Sequence, residues 1–483
     1  MQRLAAFTLI ILASTSVQSL AAASSDEAAR LTTVLQAYFG AEPGVVSVTP
    51  SGDSYGLRLD LAPLIAKVKE PGFTAQVSPI EMTLTDQGGG KWQVDQDQPL
   101  SFQVNVAGKA DMKGSIGAIK GTGIFDEALG TFASSSSDYS KFAFAQDVTE
   151  NGATTSVTYT IANIHSESAT AAAGDGVDGT YKTTYSDVRE TIATPAQPDS
   201  GMPPMEFIVE MKQGSQDAAV KGLKPHPLNG LLAWFVAHPS QDLIKADQAA
   251  LKDKLREAIP LFQSISSSAS FSDMSVGTML GRFGLAKADI VVDMNGIVAD
   301  GRLREKFTIS GLTLPEGVVP PWATNIVPSD FTIDFNVAGF NLAAPAKLLI
   351  DNFDLTKEPP LAPGMEQQLL QALLPQGTVN IGLGPSEVIA KIFDLKAEGS
   401  MTAGPMAMPT GNALIRLKGI DEIMAAVQAS PPEMGMSQMA PMIIIAKGMG
   451  KQEADGYLSY KIESTPQGSV TINGVDPMKM GGQ

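Results

Sequence analysis

The 483-residue chain contains no cysteine. Disulfides, thiolate metal sites, iron–sulfur clusters and thiol nucleophiles are therefore excluded, and buried apolar surface alone must hold the fold. Histidine is nearly absent: His165, His226 and His238 are the three present. None stands at metal-ligand spacing from another, such as i+4 on a helix, so they read as separate side chains. Charged residues are only 18% of the chain, against about a quarter in ordinary domains, and the net charge is −17. That balance excludes nucleic acid as a partner and disfavours anionic lipid headgroups. A P-loop and an S-x-x-K motif are missing, as is a G-x-G-x-x-G that follows a strand and opens a helix. The G-x-S-x-G spacing occurs at Gly52-Asp53-Ser54-Tyr55-Gly56, but within a stretch that reads as a hairpin rather than before a helix, so it is not a nucleophile elbow. The chain therefore reads as not an enzyme and as needing no cofactor; a hydrolase site assembled from scattered residues is the one catalytic alternative.

Long apolar runs are missing beyond the N-terminus. Met1-Gln2-Arg3 supplies a short positive region, Leu4 to Val17 is apolar, and Ser19-Leu20-Ala21 or Ala21-Ala22-Ala23 offers small residues for cleavage. The run is shorter than the roughly 20 residues that a bilayer core requires. Residues 1–23 are accordingly read as a Sec-type signal peptide cleaved near Ala21 to Ala23, which places the mature protein in the periplasm. With no cysteine after the apolar run, lipid attachment there is excluded, and no later stretch is long enough to span a membrane.

What is present is alternation. Ser25-Asp26-Glu27 opens a helix with Leu31, Val34, Leu35 and Tyr38 on one face. The period then changes to two: Val46 and Val48, Leu57 to Leu61, Met82 and Leu84, Trp92 and Val94, and Leu100, Phe102, Val104 and Val106. Phe142–Phe144, Val157–Ile161 and Tyr181–Tyr185 continue it. Strands this close together, joined by turns, predict antiparallel pairing with one polar face. The Pro-rich stretch Thr191–Pro204 is read as a boundary, giving an N-terminal β-meander domain over 24–200 and a C-terminal α+β domain over 201–483.

In the second domain Leu228, Leu231, Leu232, Phe235 and Val236 form a helix, and a second one runs from Ser240 to Pro260. Trp234 and Phe235 on that first helix read as core rather than as a membrane-touching face. Leu312–Val337 and Phe353–Leu383 then share the order strand, Pro-Pro, short helix, Pro, strand, which predicts an internal repeat. A hairpin at Tyr457–Ile472 closes the chain.

Two local features raise metal chemistry. Gly174-Asp175-Gly176-Val177-Asp178-Gly179 lacks the spaced oxygens of a calcium loop and reads as a turn. Met434, Met436, Met439 and Met442 fall within nine residues. Thioethers suit Cu(I), but no histidine accompanies them and Met442-Ile443-Ile444-Ile445 continues as apolar packing, so apolar packing, in an irregular core or along an adaptable groove, is the stronger reading.

Val318-Val319-Pro320-Pro321, the strand Pro328-Ser329-Asp330-Phe331-Thr332-Ile333-Asp334-Phe335 and the terminal Val470-Thr471-Ile472-Asn473-Gly474 carry a resemblance. On them the C-terminal half resembles a family of Gram-negative envelope proteins catalogued only as a domain of unknown function. The strand pattern is also similar to that of long β-sheet envelope proteins with lipid-binding grooves. The family implies no activity and no functional residue. The expectation is an α+β fold of mostly antiparallel, curved sheets with helices packed on one side. Its partner is expected to be an apolar or lipidic ligand, or else another envelope protein bound in a structural or assembly role.

Overall fold

The computed structural model describes residues 22–150, 152–196, 201, 203–405 and 407–476, and the side chain of residue 437 is not among them. The signal segment thus lies outside the described residues except for its last two. The fold is mostly antiparallel β-sheet, open and curved, with strands outnumbering helices by 20 to nine among the described residues. The chain divides into two compact units. The first ends at Ile265 and takes back Leu349–Ala362; the second is Ser266–Leu348 and the chain from Pro363 on.

In the first unit, α1 (Ser25–Phe39) forms where the 3–4 spacing predicts it, with the Ser24 hydroxyl accepting the Glu27 N–H at 3.2 Å. It packs on the hairpin β1 (Val46–Ser51) and β2 (Ser54–Leu59). After α2 (Ala62–Ile65), β3 (Phe73–Val77) and β4 (Ile80–Gly88) come the long strands. These are β5 (Lys91–Val106), β6 (Ala110–Asp126), β7 (Thr131–Glu150), β8 (Ala153–Ala173), β9 (Gly176–Thr194) and β10 (Met205–Leu223). Each long strand pairs antiparallel with the next. Strands β4 and β3 lie end to end along the other side of β5, β4 on its first residues and β3 on Phe102–Val106.

The alternating runs visible in the sequence are the middles of far longer strands. At 20 and 21 residues, β7 and β8 each extend about 70 Å at ~3.3 Å per residue. The Pro-rich stretch after Thr191 is not a division between units. Thr194 pairs with Met205 across it, so it joins two neighbouring strands of one sheet, and the units part only after Ile265.

Helix α3 (Pro225–Ala237) matches its predicted span. The predicted helix after Ser240 is two, α4 (Gln241–Ala246) and α5 (Gln248–Ala258), broken at Asp247. That residue's carboxylate accepts from the Trp234 indole at 3.4 Å and meets His238 at 3.1 Å. The returning segment is held on α5 by Arg256 with Asp351 at 2.8 Å and by Lys252 over the Phe353 ring.

The strands that follow are β11 (Ser264–Thr278), β12 (Gly281–Asn295), β13 (Gly301–Thr313) and β14 (Pro328–Phe340), with β12, β13 and β14 paired antiparallel in the second unit. After α6 (Ala343–Asn352) and α7 (Met365–Leu373) come β15 (Val379–Ala390), β16 (Asp394–Gly404) and β17 (Ala407–Lys418). Then follow α8 (Ile420–Gln428), α9 (Ala440–Met449), β18 (Lys451–Gln452), β19 (Leu458–Ser464) and β20 (Val470–Ile472), the last two forming the predicted hairpin. The two Pro-Pro segments differ. Residues 322–327 make isolated turns, i→i−3 at Ala323 and Ile326 and i→i−4 at Val327, rather than a helix, because two prolines before and one after leave too few residues to nucleate it. Phe353–Leu355 is not a strand.

The core of the first unit gathers Leu31 and Leu35 of α1 with Leu57, Leu84, Trp92 and Phe125 of the sheet. Trp92 donates its indole N–H to Glu127 at 2.8 Å, and Arg30 approaches the same carboxylate at 3.5 Å. Burial pushes the Glu127 carboxyl above the ordinary glutamate value, with Trp92 and Arg30 holding it part of the way back. The folded state therefore binds this proton more tightly than the unfolded one. Its contribution to stability falls as pH rises from the ordinary glutamate value through the raised one. Glu127→Gln keeps an acceptor for Trp92 and removes the titration. Denaturation from about pH 4 to 7 should show a flatter profile for the variant than for the parent; parallel profiles would refute the assignment.

Candidate functional site

Cross-strand partners share a face. On β5 the even-numbered residues Trp92 and Val94 belong to the core under α1, and the same alternation runs on through Gln96, Gln98, Leu100, Phe102 and Val104. Its partners extend this face across the sheet. Gln96 stands beside Gly121, Ser137, Ser166 and Thr183 in successive strands. Further along, Leu100 stands in a row with Ile116, Phe142, Ile161, Val188 and Met211. Between these rows β6 to β10 each step three residues where β5 steps two, as from Tyr139 to Phe142 and from Tyr185 to Val188. The extra residue is a bulge, and two of the bulged positions, Lys141 and Asp187, take left-handed φ of 54° and 49°. One added residue per strand keeps the apolar series on one face.

The face thus has three zones. The first is the closed core. The second is a cavity of about 610 Å³ whose floor is small and hydroxylated and whose wall is α3 through Pro225, Leu228 and Leu232. Helix α3 is fixed there by its first turns: His226 Nε2 lies 3.0 Å from the Ala128 carbonyl, and Asn229 donates to the Gly130 carbonyl at 3.0 Å. Gly130 has φ 66°, and a Cβ on it would stand 2.9 Å from the His226 ring, so no other residue serves. On the floor the Ser135 and Ser168 hydroxyls are 2.7 Å apart, and those of Ser166 and Thr183 are 3.1 Å apart.

The third zone is the apolar strip, whose aromatic side chains are half-buried. Phe142 meets Tyr159 edge-on at 6.0 Å, and Phe102 reaches Phe144 at 6.3 Å across the intervening strand. That reach requires Gly114, because the Phe102 ring lies where a Cβ on Gly114 would be. The opposite face carries the charge: Arg58 with Glu81 at 2.5 Å, and His165 between Asp138 at 2.7 Å and Glu167 at 3.2 Å. Hydrogen bonding to these two carboxylates, Asp138 first, raises the His165 pKa. A hollow of about 840 Å³ on that side is lined by Arg58, Glu81, Asp95, Lys120 and Asp138.

In the second unit β14 inverts the usual arrangement. Asp334 is 4% exposed, gripped by Arg304 through two bonds of 2.9 and 2.7 Å, while its neighbours Ile333 and Phe335 are 48% and 39% exposed. Ile333 stands opposite Phe307, and Phe335 opposite Leu383, so apolar side chains here too line one face.

The methionines of the sequence cluster fall in two short 3-10 turns and α9. Met434, Met439 and Met442 are exposed, with Met442 at 67%, and Ile444 and Ile445 beside them are exposed as well. The three histidines are not brought together: His165 lies on β8, His226 holds α3 to the sheet, and His238 stacks on Trp234 at 3.9 Å. Gly174-Asp175 is the turn between β8 and β9, with Asp175 paired to Lys224 at 3.0 Å and Asp178 accepting the Gly222 N–H. Sequence reasoning saw the apolar strip as alternation but missed the cavity floor, because Ser134–Ser137 and Ser166–Thr170 carry no apolar period.

Compared with known protein families, characterised proteins and solved structures, the chain matches none. Gly114→Val should force the Phe102 ring off the strip, at a cost of about 1–3 kcal/mol in chemical denaturation. Ser115→Val, on the opposite and exposed side, should stay within ~0.5 kcal/mol. Equal effects would mean that the ring does not depend on the glycine.

Proposed function

We propose that the chain is a non-enzymatic envelope protein, exported by the segment 1–23 and working in the periplasm, that binds an apolar or lipidic ligand. The observation that supports this most is the row Leu100, Ile116, Phe142, Ile161, Val188 and Met211. It is an unbroken apolar line across six strands, continuous with a cavity under α3. Ile161 is buried, but the other five side chains of the row are half-exposed and gain from any hydrocarbon laid on them. Each methylene removed from water contributes about 0.8 kcal/mol, so ten of them give roughly 8 kcal/mol before ordering costs. The reading agrees with the resemblance to envelope proteins of long β-sheet and lipid groove. It takes the helices to lie on one side of the sheets, with α3 over the cavity as the supporting instance.

A second reading, a structural or assembly factor that docks another envelope protein, is favoured by α9. Met442, Ile444 and Ile445 leave that helix at 61–67% exposure, which is costly for a surface that stays wet.

Lipid extraction and native mass spectrometry of the purified protein separate the two. Bound lipid is expected with the parent chain. Phe142→Asp, which sets a charge in the middle of the strip, should lower the occupied fraction at least tenfold, whereas Met442→Ser on α9 should leave it unchanged. A clean chain that takes up neither a fluorescent fatty acid nor a fluorescent monoacylglycerol would refute lipid binding.

A further inference from the structure

We infer that the ligand is a lipid with an uncharged, hydroxyl-bearing headgroup, seated with the headgroup in the cavity under α3 and the chains on the apolar strip. This rests on the binding function proposed above and specifies its ligand.

The polar groups that line the cavity are neutral: Gln96, Ser137, Ser166, Ser168, Thr183 and Asn229. The one ionisable carboxylate at its border, Glu167, alternates to the opposite face, where His165 meets it at 3.2 Å. A phosphate, carboxylate or ammonium placed in the cavity would leave water without a countercharge, and that desolvation is not recovered. Hydroxyls suit it. Each of the floor pairs, Ser135 with Ser168 and Ser166 with Thr183, joins two groups that hold two O–H donors between them and spends one. One donor and several lone pairs remain in each pair, which a ligand hydroxyl, itself donor and acceptor, can meet both ways. Tyr139 and Tyr181, on the strands of the floor, also line the cavity, each an apolar ring with a polar tip. About 610 Å³ lies within the range of ordinary small-ligand sites, and Tyr139 of its lining precedes Phe142 of the strip along β7.

Calorimetry on the full mature chain with three probes of one chain length tests this: dodecyl maltoside, dodecyl phosphate and dodecyltrimethylammonium, each below its micellar concentration. The salt is held at about 0.5 M so that the net charge of the protein is screened. The maltoside is expected to bind at least tenfold more tightly than either ion. Ser137→Val with Ser166→Val should remove that preference, leaving the ionic probes unchanged and the unfolding temperature near that of the parent. Equal binding of all three by the parent chain would overturn the headgroup assignment while leaving lipid binding standing. Binding of none, or occupation of the strip by a second copy in native mass spectrometry, would overturn the binding function and this inference with it.

Discussion

An antiparallel sheet with one apolar face must have that face covered or leave it partly wet, and in a chain without cysteine nothing else holds the strands. The first unit meets this constraint unevenly. At one end α1 closes over Leu57, Leu84 and Trp92, and the core there is dry enough to raise the proton affinity of Glu127. Next, α3 spans the face at a distance that leaves a cavity, because its first turns are tied to the 128–130 carbonyls rather than pressed into the floor. Beyond it the apolar residues meet mainly one another. The gradient from core to cavity to strip follows from the sheet being longer than the helices that cover it.

Continuity along that face depends on the bulges. A strand that skipped one residue relative to its neighbours would turn its apolar series to the charged side. Here the step occurs at corresponding positions in every strand from β6 to β10, so no neighbour is out of register with the next. Lys141 and Asp187 adopt left-handed backbone there without being glycine, a conformation that costs on the order of 1–3 kcal/mol at each site. The surrounding ladder, paired for six or more residues on either side, is what holds them in it.

Much of this was legible in the sequence, and the reasons for the misses are local. The α1 period, the β1–β2 hairpin, α3 and the terminal hairpin were all marked by spacing and by turn residues. The lengths of β7, β8 and β9 were not, since Ser134–Ser137 and Ala169–Ala173 have side chains too small or too polar to show which face is buried. Backbone pairing extends them all the same. Proline misled at 195–204, where it marks the exit of one strand toward its partner, and at 320–328, where prolines confine a segment to turns. The strip was visible as alternation on separate strands, but its being one surface required the register. The cavity was invisible, because it is made of residues that contribute no pattern and of a helix tied down by one histidine and one asparagine.

Charge decides between two ways of covering the strip. The chain carries −17 overall, and in the first unit its ionised groups crowd onto the face opposite the apolar one, as Asp95, Asp138, Glu81 and Glu167 do. Two copies brought strip to strip would bury apolar area but would hold two acidic sheets within reach of each other's field, a repulsion that weakens only with added salt. A small neutral amphiphile covers the same area without that repulsion. It also puts hydroxyls against the hydroxyls of the cavity, which a second sheet of this kind, apolar where the strip is apolar, would leave without new partners. The segregation of charge to one face and of unpaired hydroxyl capacity to the other therefore favours a lipid over self-association as what completes this sheet.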